Sequence, residues 1–239
     1  MIAESALASR AARAGARGAN YALIANGGKA RRATKAGRNP MGSSSVLIRC
    51  PVHVWHRDHV RFARLLDFLE TQMAEFHAGR RPDYDLIRDA MFYLQRFADR
   101  FHHPREDVAF ARLLARTPEM ELPINRLLQE HRVIALAGEQ LRKHLEDIFG
   151  DAVIERATVE AAAATYLVYY RHHLAQEEAN ILPRAAELLT EEDWTAVAAA
   201  VPPVPDPLFG DDVEARFREL HSRIMLDRKP AAEVPKLFK

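Results

Sequence analysis

The sequence has one cysteine, Cys50, among its 239 residues, and only ten glycines. A single cysteine excludes a disulfide within the chain and a zinc site built from several cysteines. No run of about 18 apolar residues occurs, so no membrane span is expected. The net charge of +1 gives no overall field that would recruit nucleic acid. A glycine-rich phosphate-binding loop and a nucleophile elbow are also missing from the sequence, and two common classes of enzyme site are thereby excluded.

The residues that are abundant favour helices. Alanine, leucine, arginine and glutamate dominate, and apolar residues make up 48% of the chain, enough for a sizeable buried core. The sequence also contains eleven histidines, a high number for this length. Their positions along the predicted helices carry the functional interpretation.

The first 45 residues differ in composition from the rest of the chain. They contain eight Lys or Arg residues and one acid, Glu4, and they show no sustained apolar stripe. A disordered basic tail without a role in the fold is the main interpretation. A targeting presequence and a translation start at Met41 are the alternatives. We therefore expect a cytoplasmic protein, or organellar import if residues 1–45 are a presequence.

From Val52 onward, apolar residues recur every three or four positions, which predicts long amphipathic helices. The breaks GRRPDYD, TPEMELP and Gly150-Asp151 divide this pattern into four segments. The segments cover about 52–77, 85–115, 124–148 and 154–189. Four long helices with short connections predict an all-α fold, an up-down-up-down four-helix bundle over residues 50–190.

Residues 191–239 are predicted to form a helical C-terminal extension. Thr190 is placed to cap a short helix, with Asp193 within its reach. The segment PPVPDP (202–207) is interpreted as a rigid linker. A last helix is expected over about 211–226.

Each of the four helical stripes contains a histidine at a position where an apolar residue is expected. Two of these histidines are followed four residues later by a glutamate on the same stripe. The six residues are His59, His102, Glu106, His131, His173 and Glu177. Side chains four residues apart on a helix lie about 5–6 Å apart at Cβ, so each His–Glu pair can present its polar atoms to one point.

A buried, unpaired carboxylate costs several kcal/mol, so these residues require a partner. Two divalent metal ions about 3.5–4 Å apart, bridged by the carboxylates, would meet that requirement. Without metal, burial is expected to raise the pKa values of the two glutamates and to lower those of the histidines. A single histidine on an apolar stripe is more often a hydrogen-bonded core residue, but six such residues together favour a metal site.

Two stretches, RFHHPREDVAF (100–110) and RHHLAQEEANI (171–181), contain adjacent histidines followed by adjacent acids. In the first, His102 lies on the apolar stripe and His103 on a polar face with Arg96 and Asp99. In the second, Glu177 lies four residues after His173, whereas Gln176 lies four residues after His172 and is a poor ligand. Four residues remain as supporting or surface residues, namely His103, His172, Asp107 and Glu178.

Other candidates near the predicted site are weaker. His56 lies one turn before His59 and is a secondary candidate. Tyr166, Tyr169 and Tyr170 lie within two turns of His173. Core packing is their expected role, and a hydrogen bond from one of them to a ligand or a bound diatomic molecule is the alternative.

The sequence resembles the hemerythrin-like (HHE cation-binding) family from about Val52 to Leu189. The resemblance rests on DHVRFARLLDFLE, HHPREDVAF, QEHRVIA and RHHLAQEEANILPRA, with DPLFGDDVEARFRELHSRI similar to the tail of bacterial members. It implies a four-helix bundle that holds two non-haem iron ions, oxo- or hydroxo-bridged. It also implies that the iron ligands are the six residues selected above. Oxygen carriers of the family have His-x-x-x-His in the third helix, whereas Ala135 follows His131 here, so one imidazole fewer is expected.

The resemblance implies a protein that binds O2, NO or a peroxide for sensing, storage or stress defence. From the charge and the apolar pattern, neither nucleic acid nor a membrane is expected as a partner. The missing imidazole weakens the case for a dedicated reversible oxygen carrier. One alternative is an enzyme of iron–sulfur cluster repair or of NO or peroxide detoxification. Another is an interaction module stabilised by zinc or iron without turnover, since imidazole suits several metals. The sequence does not identify a protein partner.

Overall fold

A computed structural model of the chain describes residues 51–226. The predictions for residues 1–45 and for the end of the C-terminal extension lie outside this range. Four long helices account for most of the described chain. They are α1 (Pro51–His77), α2 (segments Tyr84–Tyr93, Leu94–His102 and His103–Arg116), α3 (Glu121–Phe149) and α4 (segments Arg156–Gln176, Glu177–Ile181 and Leu182–Leu188). Two short helices follow, α5 (Glu191–Ala200) and α6 (Arg218–Leu226).

The predicted fold class is confirmed, because the described residues form an all-helical bundle. The connections between the long helices are short, so each helix runs antiparallel to the one before it. Gly79, with a φ of +73°, ends the turn after α1, a conformation that costs glycine little. A short 3-10 turn, Pro118–Met120, leads into α3. No helix within residues 51–226 combines the length and apolar character needed to cross a bilayer.

Two of the long helices contain π-helical segments, Leu94–His102 in α2 and Glu177–Ile181 in α4. A proline follows each segment by two residues, Pro104 in α2 and Pro183 in α4. A proline inside a helix lacks an N–H donor, and its ring crowds the carbonyl four residues earlier. A wider preceding turn relieves that contact, so we attribute both π-helical segments to these prolines.

Within residues 51–226, the apolar core consists of two separate clusters, one on each side of a buried polar layer. The larger cluster contains Phe62, Tyr93, Tyr166 and Tyr170, together with Leu208 and Phe217 from the C-terminal extension. The smaller cluster includes Trp55, Phe110 and Ile181. Trp194 of α5 packs on this cluster, with its ring 5.3 Å from that of Trp55. The polar layer between the clusters contains the predicted site residues.

The C-terminal extension packs on the bundle, which corrects its interpretation as a rigid linker followed by a helix. The carboxylate of Asp206 accepts a hydrogen bond from Arg61 at 3.0 Å and another from the Tyr93 hydroxyl at 3.2 Å. It also accepts from the backbone N–H groups of Leu208 and Phe209, at 2.9 and 2.8 Å. The last helix is shorter than predicted and begins at Arg218, after a 3-10 turn. The proline-rich segment around Asp206 is therefore held against α1 and α2.

The cap of α5 has the predicted form. Thr190 and Asp193 form a reciprocal capping box, in which each side chain accepts a hydrogen bond from the backbone N–H of the other. Arg112 and Arg116 of α2 also donate to the Asp193 carboxylate, at 3.1 and 2.9 Å. The cap thus fixes α5 to α2 next to the smaller core cluster.

Candidate metal centre

The six residues selected from the helical stripes meet in the interior of the bundle. His59 comes from α1, His102 and Glu106 from α2, His131 from α3, and His173 and Glu177 from α4. All six are buried, and four of them have no accessible surface: His59, Glu106, His173 and Glu177. The inward direction that the stripes predict for these six side chains agrees with their burial.

One group of polar atoms gathers around the Oε1 atom of Glu106. The Nε2 atoms of His59 and His102 lie 3.2 and 2.9 Å from this oxygen. The same two nitrogens are 2.9 Å from each other. Two nitrogens bound to one ion at about 2.1 Å and roughly a right angle would be about 3.0 Å apart, so the spacing suits a shared metal ion.

A second group gathers around three stacked or crossed imidazole rings. The ring centroid of His131 lies 4.4 Å from that of His103 and 4.6 Å from that of His173. His103, Glu106, His131 and His173 each offer one ligand atom within 4.8 Å of all the others. The Oε2 atom of Glu106 lies 3.7 Å from His131 Nε2, so Glu106 contributes one oxygen to each group.

Glu177 lies between the two groups. One of its oxygens is 3.2 Å from His173 Nε2 and 3.5 Å from His59 Nε2. The other is 3.5 Å from His131 Nε2. Glu106 and Glu177 therefore both contact imidazoles of the two groups, a placement that would let each carboxylate bridge two ions.

The prediction that His103 lies on a polar face is wrong. His103 is 4% exposed and belongs to the second group of ligand atoms. The reason is the π-helical segment Leu94–His102, whose wider turn delays the rotation of the helix. Both His102 and His103 consequently face the interior, and five imidazoles surround the centre where four were expected. Pro104 was the signal in the sequence that the regular 3.6-residue period fails here.

Each of the five imidazoles has its other ring nitrogen, Nδ1, directed at a second carboxylate. His59 Nδ1 lies 2.7 Å from Glu178, and His131 Nδ1 lies 2.7 Å from Asp107. Three longer pairs complete the set: His103–Asp99 at 3.3 Å, His102–Asp58 at 3.5 Å and His173–Glu130 at 3.5 Å. A carboxylate that accepts a hydrogen bond from Nδ1 directs the Nε2 lone pair inward, the usual arrangement around metal-binding histidines. At 3.5 Å, Nδ1 of His102 and of His173 faces its carboxylate without forming a hydrogen bond.

Of the remaining residues predicted to support the site, one is buried next to the centre and one is exposed away from it. Glu178 is 2% exposed because the π-helical segment of α4 buries it together with Glu177. Its second oxygen contacts His56 Nδ1 at 2.9 Å, so His56 reaches Glu178 rather than the centre. The side chain of His172 is 41% exposed and contacts Arg126 at 3.0 Å, away from the centre.

The pKa directions of the histidines follow from their neighbours. Burial lowers the pKa of His59, but hydrogen bonds to Glu106 and Glu178 outweigh burial and raise the pKa well above its ordinary value. Burial also opposes protonation of His131, yet Asp107 and Glu177 raise its pKa to about 10. For His103, burial and the neighbouring histidines His131 and His173 hold the pKa well below its usual range.

The two central glutamates behave oppositely to the expectation drawn from burial alone. Burial does oppose ionisation of Glu177, but His173 and His131 outweigh it and lower the pKa well below its ordinary value. The pKa of Glu106 is also lowered, because His102 and His59 outweigh burial and the repulsion from Glu177. The neighbouring imidazoles therefore favour the ionised form of both acids, and the acids in turn raise the pKa values of His59 and His131.

The unpartnered atoms of the layer show that its residues fit metal ions. Within residues 51–226, Nε2 of His103, His131 and His173 has no hydrogen-bond partner, although each atom is buried. Oε2 of Glu106 and both oxygens of Glu177 are likewise buried without hydrogen bonds. Buried polar atoms are almost always paired, so this convergence marks a space for electron-pair acceptors. Mixed imidazole and carboxylate donors suit iron, zinc and similar divalent ions.

The fold and this layer define a class: helical-bundle proteins with a histidine- and carboxylate-lined interior that can hold cations. The family model described as the hemerythrin HHE cation binding domain matches residues 50–185, more than half of the chain. The chain belongs to this family. No curated protein and no solved structure matches it.

Proposed function

We propose that the chain is a non-haem di-iron protein whose centre is held by seven side chains. Five are the inward-facing histidines and two are the bridging glutamates. The set is His59, His102, His103, Glu106, His131, His173 and Glu177. The main support for this proposal is the position of Glu106. One of its oxygens lies in each of the two groups of imidazole nitrogens, a placement that suits two adjacent ions.

The two ion positions are unequal in this proposal. Two imidazoles, those of His59 and His102, would hold one ion, and three imidazoles, those of His103, His131 and His173, would hold the other. With two shared carboxylates, the ion with two imidazoles has fewer protein ligands. An open coordination position is where a metal site takes up an exogenous ligand.

We propose that this position binds O2, NO or a peroxide, for sensing, storage or stress defence. Bound iron would supply the ligand affinity and the electrons for such chemistry. The chain's own residues would keep the ions in place, neutralise their charge and exclude bulk water, because the layer lies between two apolar clusters. Mostly neutral imidazole donors, rather than carboxylates, distinguish the set from ferritin-like di-iron sites.

The test combines metal analysis with visible spectroscopy of the full chain. Purified protein is loaded with ferrous iron without oxygen, desalted and analysed, with His172→Ala as a control that alters an exposed histidine outside the centre. Two irons per chain are expected in both, with a change in the visible spectrum on exposure to O2 or NO. At most one iron per chain would contradict the dinuclear centre.

The same measurement separates the alternatives. Zinc in protein as isolated, with no response of the spectrum to O2 or NO after iron loading, would favour an interaction module stabilised by metal. Consumption of added NO or peroxide over many turnovers would favour an enzyme of detoxification. Binding without turnover supports the sensing or storage role.

A further inference from the structure

The hydroxyl group of Tyr170 is buried without a hydrogen bond. Tyr170 has no accessible surface, and within residues 51–226 its hydroxyl has no hydrogen-bond partner. Tyrosine hydroxyls in protein interiors usually find a partner, because an unpaired buried donor costs free energy. Packing of the ring does not explain why a hydroxyl group without a partner is buried at this position.

Tyr170 borders the candidate metal centre. It lies one turn before His173 on α4, and its ring meets that of His103 edge-on, with centroids 5.8 Å apart and an interplanar angle of 89°. Phe62 stacks against it at 6.2 Å and in turn contacts His102, with ring centroids 4.9 Å apart. Tyr170 thus contacts an imidazole of the second group directly, and Phe62 connects it to an imidazole of the first group.

The other two tyrosines of this stretch do not share these properties. Tyr169 is 44% exposed on the outside of the bundle. Tyr166 is buried, but it lies one turn farther from His173, and its ring stacks on Tyr170 with centroids 5.6 Å apart. Tyr170 is therefore the tyrosine of this group that combines burial, an unpaired hydroxyl and contact with an imidazole of the centre.

We propose that Tyr170 donates a hydrogen bond to a small exogenous ligand, a diatomic molecule or a small anion, held at the centre. This inference rests on the proposed function. The phenol is a suitable donor, because a tyrosine hydroxyl carries its proton at neutral pH. Phenylalanine at this position would keep the ring contacts and remove only the donor.

Azide is the probe for this donor, since it is a small anion that accepts hydrogen bonds. The full chain is loaded with iron and oxidised, and azide binding is followed by visible absorption in wild type, Tyr170→Phe and the control Tyr166→Phe. All three are expected to retain two irons. Loss of one hydrogen bond to a charged ligand should weaken azide binding about tenfold in Tyr170→Phe and leave Tyr166→Phe close to wild type.

A vibrational measurement tests the hydrogen bond itself. The azide stretching band should shift in D2O for wild type and Tyr166→Phe, and should not shift for Tyr170→Phe. Metal-free Tyr170→Phe should melt at the wild-type temperature or above, because an unpaired hydroxyl has been removed. Melting well below wild type would instead show that the hydroxyl has a structural partner.

Three further outcomes would overturn the inference, and they are distinguishable. Equal azide affinity in Tyr170→Phe and wild type, with two irons in each, rejects Tyr170 as the donor and leaves the di-iron centre standing. Two irons without azide binding in wild type rejects an exogenous ligand at this position. Failure of wild type to take up two irons rejects the proposed function itself.

Discussion

The imidazole rings of His103 and His131 lie almost parallel, with centroids 4.4 Å apart and an interplanar angle of 14°. The pKa of His131 is raised and that of His103 is lowered. The two shifts are linked, because a proton on His131 disfavours a second proton on the adjacent His103. The α3 helix offers one histidine to the centre, and the stacked His103 of α2 stands beside it. This pair is the basis of the first prediction.

Substitution of either member of the first histidine doublet should remove iron. His102→Ala and His103→Ala each delete one inward Nε2, from different groups, so each should retain at most about one iron per chain. His172→Ala, the exposed member of the second doublet, should retain two. Elemental analysis after anaerobic loading measures the difference, with circular dichroism to verify helix content. Two irons in His103→Ala would show that its Nε2 is dispensable.

The carboxylates behind the imidazoles should control affinity for the ions. Glu178→Gln replaces the partner of His59 Nδ1 with a neutral amide, and metal affinity should fall by roughly 10–100-fold. Glu187→Gln, on the same helix at an exposed ion pair with Arg184, should leave affinity unchanged. Competition with a chromophoric chelator measures both. Equal affinities in the two variants would rule out a role for Glu178 in orienting His59.

The cap of α5 should make a contribution to the free energy of unfolding that depends on pH. The pKa of Asp193 lies well below its ordinary value, because the Thr190 backbone and hydroxyl, Arg112 and Arg116 all favour the ionised form. A lowered folded-state pKa stabilises the protein above the unfolded pKa of about 3.9, and this contribution is lost as pH falls from there toward the folded pKa.

Asp193→Asn should therefore lower the stability of the metal-free chain by about 1 kcal/mol at pH 7. The difference in stability between wild type and Asp193→Asn should become smaller as the pH falls below about 4. Thermal melting of both proteins between pH 7 and pH 3 measures this gap. A constant gap across that range would show that ionisation of Asp193 does not contribute.

Removal of the Asp206 carboxylate should loosen the C-terminal extension. Asp206→Ala removes one acceptor of Arg61 and the acceptor of the Tyr93 hydroxyl and of two backbone N–H groups, so the free energy of unfolding should fall by about 2 kcal/mol. Asp211→Ala, at an exposed residue of the same extension, should change stability by less than about 0.5 kcal/mol. Urea unfolding followed by circular dichroism compares the two. Similar values for both would show that Asp206 does not anchor the segment.

Helix periodicity was sufficient to predict the bundle and the inward direction of His59, His131 and His173, because regular α-helix surrounds or precedes them. It failed at His103, where a π-helical segment alters the rotation that the prediction assumed constant. It also gave the wrong pKa direction for Glu177, since burial can be read from a stripe but pairing with specific imidazoles cannot. The packing of Asp206 depends on contacts between distant segments, which local patterns do not encode.

The π-helical segment in α2 has a consequence for the comparison of related chains. A turn with bonds from residue i to i+5 accommodates one residue more than the α-helical turn it replaces. Two chains can then present the same donors to an ion while differing by one residue between Leu94 and His102. An ungapped alignment of such chains would place His102 of one beside the equivalent of His103 in the other. A histidine shared in that alignment column therefore does not show which residue faces the ion. That residue has to be identified from the structures of the two chains.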